Sequence, residues 1–140
     1  MSEASMRKNL VKKLSVLDAV SIESPTTGLG IPDVNFIGGW FECKWLRAWP
    51  KGCDSNPVKF GHELTKEQQI WLWRRERQGG LAMVVAQVQQ SWFFWSGRKI
   101  KEEKLWDRMT RPEMIANAEL YFPKGLELEA LLSYLRERSS

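Results

Sequence analysis

The chain has 140 residues, of which 43% are hydrophobic and 27% charged, a balance that belongs to a globular protein and excludes a disordered one. No stretch reaches the ~20 apolar residues of a membrane span; the run from Leu81 to Trp95 is broken by Gln87, Gln89 and Gln90. The net charge of +4 permits an anionic partner without requiring one, and two cysteines, Cys43 and Cys53, make no disulfide framework.

The length suits one domain, 1–140. Met6, Leu10, Leu14 and Leu17 recur at helical spacing and predict an amphipathic helix over 3–17. Arg7, Lys8, Lys12 and Lys13 lie off that stripe and break any signal-peptide core, so an intracellular, cytoplasmic protein is expected, a phage or bacterial one fitting well. A short strand over Ala19-Val20-Ser21-Ile22 leads into the turn-rich loop Ser24 to Gly30. Pro32 opens the next strand, 33–37. Gly38-Gly39 reads as a hairpin turn, and 40–46 as its partner strand. After a loop rich in Pro and Gly, a helix is expected from Thr65 to about Gln78, stopped by Gly79-Gly80. Two strands follow, 81–88 and 91–95. A charged segment, 98–111, is expected to be partly helical. The tail helix spans about 126–138, its acids first and its arginines last. This order predicts an α/β protein with a central mixed β-sheet flanked by helices.

Chemistry concentrates in Gly30-Ile31-Pro32-Asp33 and Phe41-Glu42-Cys43-Lys44-Trp45. Period-two alternation puts Glu42 and Lys44 on one face of their strand and Phe41, Cys43 and Trp45 on the other. Asp33 starts the antiparallel partner, so two carboxylates and a lysine converge at one end of a hairpin. Carboxylates at close quarters accommodate a hard cation, and Mg²⁺ suits one or two of them with waters and a phosphate. Lys44 is then placed to act as general base or as a cation facing charge that develops on phosphorus. Metal-assisted hydrolysis of a phosphodiester is the chemistry expected. Arg47, Lys51 and Lys59 follow directly and read as a phosphate-tracking DNA-binding loop.

Pro32-Asp33 followed by Glu42-x-Lys44 resembles the motif of the PD-(D/E)XK nucleases, and the element order over about 3–90 is similar to their restriction-endonuclease-like αβββαβ core. Residues 91–140 would form a C-terminal extension of strands and helices. Leu64-Thr65-Lys66-Glu67-Gln68 leading into Gly79-Gly80-Leu81-Ala82 resembles the VRR-NUC branch. Ser24-Pro25-Thr26-Thr27-Gly28 resembles a loop of archaeal Holliday-junction resolvases, with Thr27 at the position of an active-site serine. The resemblance implies a structure-selective DNA endonuclease using Mg²⁺, with Mn²⁺ able to substitute. It implies Asp33, Glu42 and the Cys43 backbone carbonyl as metal ligands, Lys44 and Gln68 as further catalytic residues, and Glu3 as the family's first-helix glutamate. Branched or junction DNA is the implied substrate, and paired symmetric nicks imply a homodimer. The alternatives are a flap-cutting, nicking or nonspecific DNA nuclease, or a non-catalytic DNA-binding module on the same fold.

Blander readings stand beside these. Glu42 and Lys44 equally describe an exposed ion pair on a sheet face. Thr65-x-x-Gln68 is a capping box, which gives Gln68 work at its own helix start. Thr27 suits a turn and Glu3 a helix start. Cys43, Cys53 and His62 lack zinc-site spacing and read as idle. Trp71 and Trp73 cannot both face inward on one helix, which points one of them at a subunit interface.

Overall fold

The computed structural model describes residues 2–22 and 30–139. Helix α1 (Glu3–Lys13) begins where the Ser2 side chain accepts the Ser5 N–H, with Glu3 in its first turn and Lys12 and Lys13 in its last, the charge order its dipole favours. It ends earlier than its apolar spacing predicts: Leu14 caps it, a 3-10 turn takes Ser15–Leu17, and Asp18 is left-handed at φ 53. The tighter turn still keeps Leu14 and Leu17 against the same core, so the stripe outlasts the helix.

Strand β1 (Val20–Ser21) is shorter than the four residues expected and exposed on both. It pairs antiparallel with β2 (Val34–Phe36), which forms a hairpin with β3 (Gly39–Leu46). Phe36 faces Gly39, so the turn is Ile37-Gly38 rather than Gly38-Gly39. Gly39 is glycine for a different reason: a Cβ there would lie 2.9 Å from the Leu81 carbonyl oxygen, so the close approach of the neighbouring strand requires it.

Helix α2 (Lys66–Arg77) spans the crossover from β3 to β4 (Leu81–Val88), which is parallel to it. Strands β5 (Ser91–Ser96) and β6 (Leu120–Phe122) add antiparallel, giving one mixed sheet in the order β1-β2-β3-β4-β5-β6. All of β4 is buried, which is why it reads as a nearly unbroken apolar run. Between β5 and β6 come α3 (Gly97–Glu102) and α4 (Arg111–Asn117); α5 (Leu128–Ser139) closes the chain. The charged segment 98–111 is helical up to Glu102 and again at Arg111, where α4 begins. Helix α4 and strand β6 are too short to show a period, though Thr110-Arg111-Pro112-Glu113 forms a capping box that marks the start of α4 in the sequence.

The sheet lies between two helical layers. On one face Met6 and Leu10 of α1 and its cap Leu14, with Leu131, Leu132 and Leu135 of α5, cover Phe41, Cys43, Met83, Val85 and Phe94. On the other, Leu72, Ile100 and Met114 of the remaining helices, with Val58 and Phe60 of the β3–α2 segment, cover Val84, Ala86, Phe93 and Trp95. Each fully buried Leu, Val, Met or Phe contributes ~1.5–3 kcal/mol. Both layers draw on the C-terminal third, which extends the same sheet. Trp71 packs edge-on to Trp40 at 5.0 Å, and Trp73 donates from Nε1 to Glu102 at 2.9 Å, so both rings find partners within the chain. No helix among the described residues is long and apolar enough to cross a membrane.

Candidate active site

Val34 faces Phe41 in the β2–β3 hairpin, so one further step sets Asp33 opposite Glu42. Pro32 has no N–H with which to continue the ladder. The Cys43 N–H that the next rung would use donates instead to Asp33 Oδ2 at 3.0 Å. Proline thus ends the pairing, and the Asp33 carboxylate takes its place against β3. The same proline offers no donor to the Cys43 carbonyl.

Glu42 and Lys44 project from β3 toward the layer that contains α2. They are 2% and 4% exposed, so the reading as a solvent-facing ion pair is excluded. Val84 and Ala86 stand beside them on β4. Lys44 Nζ lies 3.5 Å from Glu42 Oε2 and donates to the Glu63 carbonyl at 3.0 Å. From α2, Gln68 Nε2 donates to the same Glu42 oxygen at 3.1 Å. Gln68 also completes the capping box: its Oε1 accepts the Thr65 N–H at 2.9 Å, and its own N–H donates to Thr65 Oγ1 at 3.1 Å. The two readings of Gln68 are both satisfied, one by each end of its amide.

A loop before β2 fixes this geometry. Gly30 has φ 75, and a Cβ there would meet the Glu67 carbonyl carbon at 2.4 Å and the Gln68 nitrogen at 2.6 Å. The backbone leading to Asp33 therefore rests against the first turn of α2.

Burial pushes the Glu42 carboxyl up from 4.5 to about 8, and the Asp33 carboxylate adds to it; Lys44 opposes both less strongly. Glu42 Oε1 is buried with no hydrogen-bond partner. Once ionised, that oxygen would sit buried and unpartnered beside a second carboxylate, a state that a cation relieves. No three His, Cys, Asp or Glu side chains among the described residues gather into a metal-holding group. The donor set of two carboxylates and a backbone carbonyl fits Mg²⁺ or Mn²⁺, which retain waters. The Cys43 thiol is pushed well above its usual value by burial and by Asp33, Glu42 and Glu3, so it stays protonated and offers no thiolate.

Glu3 is the first residue of α1, half-buried, with Oε2 buried and unpartnered. Its charge acts on the Cys43 thiol, whose side chain lies on the α1 face of β3. No hydrogen bond or ion pair among the described residues joins it to Asp33, Glu42, Lys44 or Gln68. Arg47, Lys51 and Lys59 are exposed on the segment between β3 and α2. Thr27 and its loop lie outside the described residues.

Sequence reasoning missed two supports. The Glu63 carbonyl that holds Lys44 is a backbone atom, for which no side-chain pattern exists. The C-terminal extension braces the segment carrying Lys51 and Lys59: Val58 N–H donates to the Met109 carbonyl at 2.8 Å, Phe60 N–H to Asp107 Oδ1 at 3.1 Å, and Arg111 N–H to the Cys53 carbonyl at 2.7 Å. Only Asp107 is a side chain, and its partner is 47 residues away.

No protein-family model matches the chain, and no curated protein matches its sequence.

Proposed function

We propose that the chain is a divalent-metal-dependent DNA endonuclease of the PD-(D/E)XK type, acting on branched DNA in the manner of a Holliday-junction resolvase. The observation that carries this reading is the convergence of Asp33, Lys44 and Gln68 on a buried Glu42 whose second oxygen has no partner. The order α1-β1-β2-β3-α2-β4, with β2–β3 antiparallel and β3–β4 parallel, supports a restriction-endonuclease-like core.

Asp33, Glu42 and the Cys43 carbonyl would hold Mg²⁺ or Mn²⁺. The chemistry such an ion supplies when bound is a lowered pKa for a water and Lewis-acid stabilisation of charge on a phosphoryl oxygen. Gln68 holds Glu42 in one orientation through its amide N–H. Lys44 donates to the Glu63 carbonyl and pairs with Glu42 at 3.5 Å, and its three ammonium protons leave one for a phosphoryl oxygen. Its positive charge, held in a buried slot, stabilises negative charge that grows on the phosphoryl oxygens as the bond breaks. Arg47, Lys51 and Lys59 bind backbone phosphates on the strand's approach. Two symmetric nicks in a four-way junction call for two copies about a two-fold axis.

The test is cleavage of an end-labelled four-way junction beside a linear duplex, a flap and single-stranded DNA, with Mg²⁺, Mn²⁺ or EDTA. Paired, metal-dependent nicks in the junction, absent in Glu42→Ala, establish the resolvase. Cutting of every substrate keeps the nuclease and removes the junction preference. No cutting by folded protein with either metal overturns the reading.

A further inference from the structure

The turn between α3 and α4 opens a cleft of about 270 Å³, lined by Lys104, Trp106, Arg108 and, from α2, Gln69. No carboxylate lines it. Lysine, arginine and the indole N–H are donors only. Trp106 is 9% exposed and stacked on Phe60 with ring centroids 4.7 Å apart, yet its Nε1 is buried without a partner. Of the nearby acids, Asp107 accepts the Phe60 N–H, Glu102 accepts from Trp73 and Arg98, and Glu103 is exposed and does not line the cleft.

Lys104 supplies an independent observation. Helix α3 ends in a Schellman arrangement, with Leu105 N–H donating to the Ile100 carbonyl at 3.1 Å and Lys104 N–H to the Lys101 carbonyl at 3.3 Å. The residue in this position must be left-handed, and Lys104 has φ 54. Helix α2 ends the same way, with Gly80 N–H bonded to the Arg75 carbonyl and Gly79 N–H to the Glu76 carbonyl, and there the left-handed residue is Gly79 at φ 95. Glycine makes this turn without strain. A lysine there carries backbone strain that glycine would not, while its charge suits the C-terminal end of α3, and such outliers gather at ligand sites.

We propose that this cleft binds a backbone phosphate of the nucleic-acid strand engaged at Glu42 and Lys44; the inference rests on the nuclease reading above. A lining with two cations and no carboxylate suits an anionic oxygen; Gln69 brings an amide whose nitrogen already donates to the Leu64 carbonyl. Its place fits as well: Gln69 lines the cleft, while its neighbour Gln68 touches Glu42 and Glu63, a few residues earlier, holds Lys44. A strand crossing the start of α2 meets both sites.

The test uses the full chain in EDTA, so that binding is read without cleavage, with a short labelled duplex and inorganic phosphate as probes. Lys104→Gly relieves the left-handed strain, so its denaturation midpoint matches or exceeds the parent's. Combined with Arg108→Ala, it weakens duplex binding about tenfold at low salt and makes the salt dependence shallower by about one to two ions. Inorganic phosphate shifts the indole N–H resonance of Trp106 (assigned by its loss in Trp106→Phe), and the double variant loses that shift. A folded double variant with the parent's duplex affinity and salt slope overturns the inference and leaves the catalytic reading standing. So does a phosphate-induced shift with no change in duplex binding, which marks a free-anion site alone. A parent that binds and cuts no DNA overturns the nuclease reading, and this inference with it.

Discussion

Gln68 and Glu42, 26 residues apart in the chain, are joined by a single hydrogen bond from the Gln68 amide nitrogen, while the amide oxygen of the same side chain caps α2. The helix start and the candidate site therefore share one residue, which serves each through a different end of its amide.

Substitution separates the two roles. Thr65→Ala removes half of the capping box and costs ~1 kcal/mol of stability, with cleavage close to the parent's. Gln68→Ala costs a similar amount and also frees Glu42, lowering cleavage by about 10–100-fold. Urea denaturation and single-turnover cleavage of the two variants provide the comparison. Equal activities would show that Gln68 serves the helix alone.

Glu42 makes stability depend on pH. Its carboxyl is raised from 4.5 to about 8 in the fold, so between those values the folded chain keeps a proton the unfolded chain has lost. The stability this group contributes is full below about 4.5 and is lost as pH rises through about 8. The span is on the order of a few kcal/mol. In EDTA the melting temperature therefore falls across this window, and Glu42→Gln flattens the fall. Mg²⁺ opposes it by favouring the ionised carboxylate, and its binding at neutral pH releases protons, which calorimetry in buffers of different ionisation enthalpy would count. A level melting profile for the parent would contradict the buried, protonated carboxyl.

Lys44 serves stability as well as chemistry. Removing one partner of a buried ion pair leaves the other uncompensated, at ~3–5 kcal/mol, and here it also strips the Glu63 carbonyl of its donor. Lys44→Met is expected to melt below the parent in EDTA, least at acid pH where Glu42 keeps its proton, and to lose about 10²–10³-fold in cleavage rate. Lys44→Arg does not rescue it, because a planar fork does not replace a point charge in this narrow slot. Rates near the parent's in Lys44→Met would remove Lys44 from the mechanism.

Gly30→Ala tests the contact between the loop and α2. Gly30 and Gly61 share nearly the same positive φ, 75 and 76, but a Cβ on Gly61 meets nothing within 4 Å. Gly61→Ala thus reports the left-handed strain alone, about 1–3 kcal/mol. Gly30→Ala adds a collision with the backbone of Glu67 and Gln68, so it destabilises more and also lowers cleavage by displacing Gln68. Chemical denaturation of the pair measures the difference.

The residues that make the site reveal themselves unequally. Alternation along 40–46 places Glu42 and Lys44 on the face opposite Phe41 and Cys43, because a strand's pleat is a local property. The Thr65–Gln68 capping box is legible for the same reason, its bonds closing over three residues. The hairpin is legible, but its turn reads one residue late: Gly39 looks like turn glycine and is in fact glycine for the approach of Leu81, a contact no local window contains. The hold of Glu63 on Lys44 is invisible because it uses a backbone oxygen. Helix α4 and strand β6 are too short for periodicity to register.

The amino-acid sequence by itself determined the α/β class, the strand that carries Glu42 and Lys44, the helix that carries Gln68, and which face of β3 the charged pair occupies; Asp33, expected as the first residue of its strand, lies just before β2. These follow from interactions within a few residues. The tertiary structure decided that this face is buried, that Gln68 meets Glu42, that one carboxylate oxygen is left without a partner, and that the C-terminal extension braces the β3–α2 segment. Those outcomes depend on which layers pack on the sheet. Burial, not residue identity, sets the cost of a charge and hence what Glu42 can hold.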